Sequence, residues 1–162
     1  MHPSPRLNSL PSREAYRPAE LKFTEDGPAM APLIVIIDDD ISIRNALRAL
    51  MRSASYRAET FASAEAFVGS DTASDCIITD VAMQGMSGLE LAALLKSRGC
   101  TVPVILISAL TDYDLEMKAI FNGARCLLRK PIESNVLISL VEESIASRPL
   151  TPCPPAPADQ PL

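Results

Sequence analysis

Five short apolar runs, each followed by apolar residues on a helical period, leave this chain few architectures. Leu33-Ile34-Val35-Ile36-Ile37 is a continuous, largely β-branched run that ends in Asp38, Asp39 and Asp40. Ile43, Leu47, Leu50, Met51 and Ala54 then recur at the spacing of one helix face. A strand is expected over 57–61, followed by a small helix with Ser63 as its N-cap. Cys76-Ile77-Ile78-Thr79 reads as a third strand, and Leu91, Leu94 and Leu95 mark a helix stopping near Gly99. Val104-Ile105-Leu106-Ile107 is a fourth strand, opened by Pro103 where a missing donor costs little. A fourth helix is expected from about 112 to 122, with Gly123 as its terminator. A strand at 126–129 and a helix carrying Val136, Leu137, Leu140, Val141 and Ile145 complete the series. Strands apolar on both faces, alternating with helices, predict an α/β fold, a doubly wound parallel sheet covered on both sides.

Proline sets the expected limits of this unit. Of 14 prolines, six fall in 1–32 and six in 149–162, which leaves Pro103 and Pro131 between. Residues 1–32 are therefore expected to be a disordered leader, 33–147 the folded domain, and 148–162 a disordered proline-rich tail. Met30 directly precedes the first strand, which raises the hypothesis that 1–29 reflect a start codon chosen too far upstream. An intact mass of native protein beginning at Met1 would dispose of it. All of the net charge of −5 arises in 33–147, which holds 15 acidic and 10 basic side chains. That balance lacks the basic footprint of phosphate-backbone binding, so no direct nucleic-acid partner is expected. Cys76, Cys100, Cys126 and Cys153 have no C-x-x-C spacing and are expected to be reduced thiols. No apolar run is long enough to span a membrane, and the leader has no signal-peptide core. A cytoplasmic protein without membrane insertion is expected.

In a doubly wound sheet, functional groups gather at the carboxyl ends of the strands. Here those ends supply Asp38, Asp39 and Asp40, then Asp80, then Ser108, then Lys130. Taken singly, each has an ordinary explanation: Asp40 is expected to cap the helix that follows it, a Lys-Pro pair is commonly a loop, and Ser108 alone means little. Together and in order they describe one chemistry. Carboxylates on adjacent strands repel unless a cation sits between them, and an oxygen-only donor set selects a hard ion such as Mg²⁺. A carboxylate can carry a phosphoryl group as an acyl phosphate, provided that a cation, a lysine and a hydroxyl meet the phosphoryl oxygens.

The segments Ile36-Ile37-Asp38-Asp39-Asp40, Thr79-Asp80-Val81-Ala82-Met83-Gln84-Gly85-Met86-Ser87-Gly88-Leu89-Glu90-Leu91, Ile107-Ser108-Ala109 and Arg129-Lys130-Pro131 resemble the receiver domain of response regulators in two-component phosphorelay systems. The similarity covers about 33–147. It implies a flavodoxin-like (βα)5 sheet of order 2-1-3-4-5, phosphorylated on Asp80 by the phosphohistidine of a histidine kinase or phosphotransfer protein. By the same resemblance Asp39, Asp80 and the Ala82 carbonyl would hold Mg²⁺, with Asp38 acting through water. Ser108 would bind a phosphoryl oxygen, Lys130 would pair with the phosphoryl group, and the Lys130–Pro131 bond would be cis.

Three departures from the family pattern stand out. Gln84 stands where Pro is usual, which is expected to loosen the loop after Asp80. Leu127 replaces the aromatic switch residue that answers movement of Ser108. Ala82 and Leu110 occupy the two positions that tune self-dephosphorylation, and neither side chain orients a water. The fourth helix, fifth strand and fifth helix are the expected contact surface, with Leu115 and Ile120 assigned to the core and Asp114 and Lys118 to an i,i+4 pair.

His2, the one histidine, lies in the leader, so the phosphoryl donor is expected to be another molecule. The tail has no room for a helix-turn-helix, so a stand-alone domain is expected, one that gates a downstream protein partner or serves as a phosphate shuttle or sink. A pseudo-receiver that binds partners without phosphorylation is the alternative, favoured only by Leu127. An aspartate-nucleophile phosphohydrolase would want an acid two residues after Asp80, and Ala82 stands there. Flavin binding would want aromatics that the chain lacks.

Overall fold

A computed structural model of the chain describes residues 23–24, 27–28 and 31–148. The rest of the expected leader and nearly all of the expected tail lie outside the described residues. Two units divide the chain, Met1–Ala31 and Pro32–Leu162. Within the first, Phe23–Thr24 pairs antiparallel with Gly27–Pro28.

The second unit contains β1 (Leu33–Ile37), α1 (Ile41–Ser53), β2 (Arg57–Phe61), α2 (Ala64–Val68), β3 (Cys76–Asp80), α3 (Gly88–Ser97), β4 (Val104–Ser108), α4 (Leu115–Phe121), β5 (Cys126–Arg129) and α5 (Ser134–Ala146). All five strands are parallel, in the order 2-1-3-4-5. β3 and β4 are buried along their whole length and β1 along all but its first residue, whereas the edge strands β2 and β5 are half-exposed. Hence only the central strands read as unbroken apolar runs.

Alternation along the strands builds two cores. Val35, Ile37, Ile77, Val104 and Leu106 pack with Phe67, Leu91, Leu95, Leu115 and Ala119, the side carrying α2, α3 and α4. Ile34, Ile36, Ile78, Ile105 and Ile107 pack with Leu47, Met51, Leu137 and Val141, the side of α1 and α5. Fully burying each Ile is worth about 2 kcal/mol, so the three central strands dominate the stability of the sheet.

Local signals bound several of the helices. Asp40 caps α1, accepting from the amides of Ser42 and Ile43, and Ser63 caps α2 through the amide of Ala66. Ser87 and Glu90 form a reciprocal capping box at the start of α3. Gly123 follows α4 with φ of 90°, a conformation only glycine adopts freely. The Lys130–Pro131 peptide is cis.

Four expectations are corrected. α4 begins at Leu115 rather than near 112, because the Asp112 carboxylate takes the Asp114 amide and Arg129 binds the carbonyls of Leu110 and Asp112. Those bonds hold 110–114 as a loop. On α4, Leu115 is buried but Ile120 is 52% exposed, since Ala119 takes the inward position next to it. Lys118 pairs with Asp112 at 3.4 Å, not with Asp114. Among the cysteines, Cys76 and Cys126 are free thiols as expected, whereas Cys100 is disulfide-bonded; spacing along a chain does not report which thiols meet in space. Burial pushes the Cys76 thiol up to about 12, so it is expected to resist alkylation until the protein unfolds.

Gly88 brings α3 directly onto the site. A β-carbon there would collide with the Asp80 carbonyl oxygen and lie 3.1 Å from Leu106 Cδ2. Gly88→Ala is therefore expected to lower stability by about 3 kcal/mol in denaturant unfolding. Unchanged stability would mean that α3 moves away from β3 at little cost.

Candidate functional site

Strand register decides which side chains meet. Ile37 is level with Thr79, Asp80 with Ile107, and Ser108 with Arg129. The residues one step further, Asp38, Asp80 and Lys130, therefore converge on one edge of the sheet. One carboxylate oxygen from each of Asp38, Asp39 and Asp80 lies within 4.8 Å of the others. Lys130 Nζ stands 3.4 Å from Asp80 Oδ2 and 3.7 Å from Asp38 Oδ2. Asp38 and Asp80 are buried, while Asp39 is exposed.

Burial, opposed by a hydrogen bond from the Asp40 amide and reinforced by the charge of Asp80, holds the Asp38 carboxyl above the usual carboxylate range. At an effective dielectric of about 20, the Asp38–Asp80 repulsion is about 3 kcal/mol, and one lysine offsets only part of three negative charges. An all-oxygen cluster with surplus negative charge, open to solvent on the Asp39 side, fits a hard divalent cation.

Around this cluster the backbone is closely tied. The Ala82 amide reaches Asp80 Oδ1 at 3.4 Å, which folds the loop back over the carboxylate. Val81 bonds to Ile107 through its amide and receives the Gly88 amide on its carbonyl, closing the loop at its base. Ser108 is fully buried, and its hydroxyl accepts from the Leu110 amide at 2.9 Å. Its hydroxyl hydrogen is left to donate, but any movement strains the loop that begins at Ala109. Leu127 lies level with Leu106 and packs into the α2–α4 core, below the carboxylates rather than among them.

Three neighbours were not legible beforehand. Arg44 donates to the Asp38 carbonyl at 2.6 Å, Arg129 binds the loop after Ser108, and Glu65 of α2 takes the Met86 amide in the loop after Asp80. Their partners are backbone atoms, which carry no residue-type signal. Only the adjacency of Arg129 to Lys130 hinted at proximity.

A doubly wound sheet with a carboxylate cluster and a lysine at its carboxyl edge defines the receiver class of signalling phosphoacceptor domains. The model of the family described as the response regulator receiver domain matches residues 34–142, and this chain belongs to that family. Among curated relatives, the transcriptional regulatory protein TdiR of Thauera aromatica is 35% identical over 118 residues, 72% of this chain and 52% of that protein. The transcriptional regulatory protein FixJ of Azorhizobium caulinodans is 37% identical over 112 residues, 68% of this chain and 53% of that protein. The crystal structure of FixJ-N superposes with a TM-score of 0.67 at 27% identity, covering 72% of this chain and 94% of that one. The chain thus spans about half the length of the curated relatives it matches.

That length overturns one expectation, the absence of a direct nucleic-acid partner. The relatives are transcriptional regulatory proteins roughly twice as long as the matched region. A basic footprint lies on whichever domain touches phosphate, so the acidic balance of 33–147 carries no information about it. Among the described residues no helix is long and apolar enough to cross a membrane.

Proposed function

We propose that this receiver takes a phosphoryl group on Asp80 from the phosphohistidine of a histidine kinase or phosphotransfer protein and signals by the resulting change at the β4–α4 loop. The observation that carries this reading is the placement of Lys130 Nζ 3.4 Å from a buried Asp80 carboxylate that also faces two further carboxylates. An Asp80 oxygen attacks phosphorus and the P–N bond breaks. Its electron pair returns to the imidazole nitrogen, and an acyl phosphate remains on Asp80. Lys130 neutralises an incoming phosphoryl oxygen, and Ser108 donates its hydroxyl hydrogen to another. Asp39, Asp80 and the Ala82 carbonyl would hold Mg²⁺, with Asp38 acting through water, and the ion would supply the positive charge that the cluster lacks.

Readout runs through the loop that Ser108 anchors. A hydroxyl drawn towards a phosphoryl group pulls on the Leu110 amide, whose carbonyl is held by Arg129. Relatives named as transcriptional regulatory proteins favour control of transcription as the output. A pseudo-receiver remains the second reading, favoured by Leu127, which is already packed into the core and has no ring to swing inward.

The test is intact mass after incubation with Mg²⁺ and a small acyl-phosphate donor. A gain of one phosphoryl mass, lost on chelation of Mg²⁺, is expected; no gain with either the small donor or a kinase would leave the pseudo-receiver. The acyl phosphate is also expected to be long-lived. Ala82 and Leu110 are exposed aliphatic residues, with no group to orient a water. An Ala82→Asn, Leu110→Glu variant should shorten the half-life on the order of a hundredfold, the low end of what positioned acid–base groups achieve. Equal half-lives would defeat the claim.

A further inference from the structure

The loop after Asp80 departs from the family at Gln84, yet it is not left slack. Gly85 has φ of 77°, and the chain bends through Gln84–Met86. In a four-residue turn beginning at Met83, the Met86 amide would return to the Met83 carbonyl. Instead it donates to Glu65 Oε1 of α2, 21 residues back, at 2.5 Å. Gly85 makes room for this contact, because a β-carbon there would collide with the same Glu65 oxygen. The Met86 amide also holds the Glu65 carboxyl below its usual range. At its other end the loop is closed by the Gly88–Val81 bond and the Ser87–Glu90 capping box.

We infer that Glu65 is a positioning residue: its carboxylate tethers the Met83–Ser87 loop to α2 and so sets where the Ala82 carbonyl sits relative to Asp80. This rests on the reading of Asp38, Asp39, Asp80 and Ala82 as a Mg²⁺ site. In effect, a long-range hydrogen bond does in this chain what a proline at 84 would do by fixing φ. A glycine of positive φ follows position 84, and the residue before such a glycine in a type II turn is one that proline suits.

The test is the Mg²⁺ dissociation constant of the full chain, read from amide chemical shifts, with stability measured separately in chelator. Glu65→Ala is expected to weaken Mg²⁺ binding about tenfold, the scale of losing a group that orients a metal ligand. Glu65→Gln keeps an acceptor and loses the charge, and should stay within about threefold of wild type because the tether survives. Adding Gln84→Pro to Glu65→Ala should recover up to about fivefold by restricting the free loop. A merely structural loss would lower stability in chelator without rescue by Pro. If Gln falls as far as Ala, the effect is long-range charge and the inference is overturned. Asp39→Asn separates the two layers. If it abolishes binding while Glu65→Ala leaves binding unchanged, the tether fails and the metal site stands. If Asp39→Asn changes nothing, the metal reading fails and takes the tether with it.

Discussion

Asp80→Ala takes up no phosphoryl group under conditions that label the wild-type chain completely: this is the largest effect expected. Three carboxylates crowd the site, so the choice of acceptor needs a physical reason. Asp38 has one oxygen committed to the Asp40 amide and is held protonated more readily by burial. Asp39 is exposed, and no lysine contact is found for it among the described residues. Asp80 lies closest to Lys130 and sits at the end of the central strand, between the strands that bear Asp38 and Ser108. That position next to Lys130 on the strand flanked by Asp38 and Ser108 is what favours Asp80 as the acceptor. Intact mass followed by peptide mapping checks this, and label on Asp38 or Asp39 in the variant would move the acceptor. The same substitution relieves the Asp38–Asp80 repulsion and leaves Lys130 paired with Asp38, so the metal-free variant is expected to be no less stable than wild type. That separates lost chemistry from lost folding.

Lys130→Ala should slow phosphorylation by about a hundredfold at saturating donor and Mg²⁺, comparable to deleting one preorganised donor to a developing oxyanion. Its Nζ is the only cation within salt-bridge distance of Asp38 and Asp80 among the described residues. Removing it also leaves those carboxylates uncompensated, so the variant should lose stability in chelator and regain part of it when Mg²⁺ is added. Lys130→Arg should recover little of the rate, because a planar fork on a longer reach does not reproduce a compact ammonium in a cluster this tight. Initial rates by intact mass, paired with thermal unfolding in chelator and in Mg²⁺, test both parts. A Lys130→Ala rate within a few-fold of wild type would remove lysine from the transfer step.

Much of this protein was legible because its signals are local. β-branched runs and helix-period spacing announce elements whose burial is set by neighbours a few residues away, and caps such as Asp40, Ser63 and Gly123 satisfy backbone groups within one turn. The misjudged elements are those governed from a distance. α4 starts late because Arg129 claims carbonyls 17 and 19 residues earlier. Ile120 is exposed because the short helix has room to bury only Leu115 and Ala119.

Residue order along the chain determined that this is a doubly wound sheet of five strands, and which polar residues stand at the strand ends. Periodicity and side-chain type suffice for that, since both are properties of short segments. Tertiary structure alone decided that Asp38, Asp39 and Asp80 bring carboxylate oxygens within 4.8 Å of one another, that Lys130 pairs with Asp38 and Asp80, that Ser108 is tied to its own loop, and that Glu65 reaches the loop after Asp80. The physical reason is strand register and helix placement. Both are fixed by packing across the whole sheet, where a one-residue shift of a strand would turn its side chains to the opposite face.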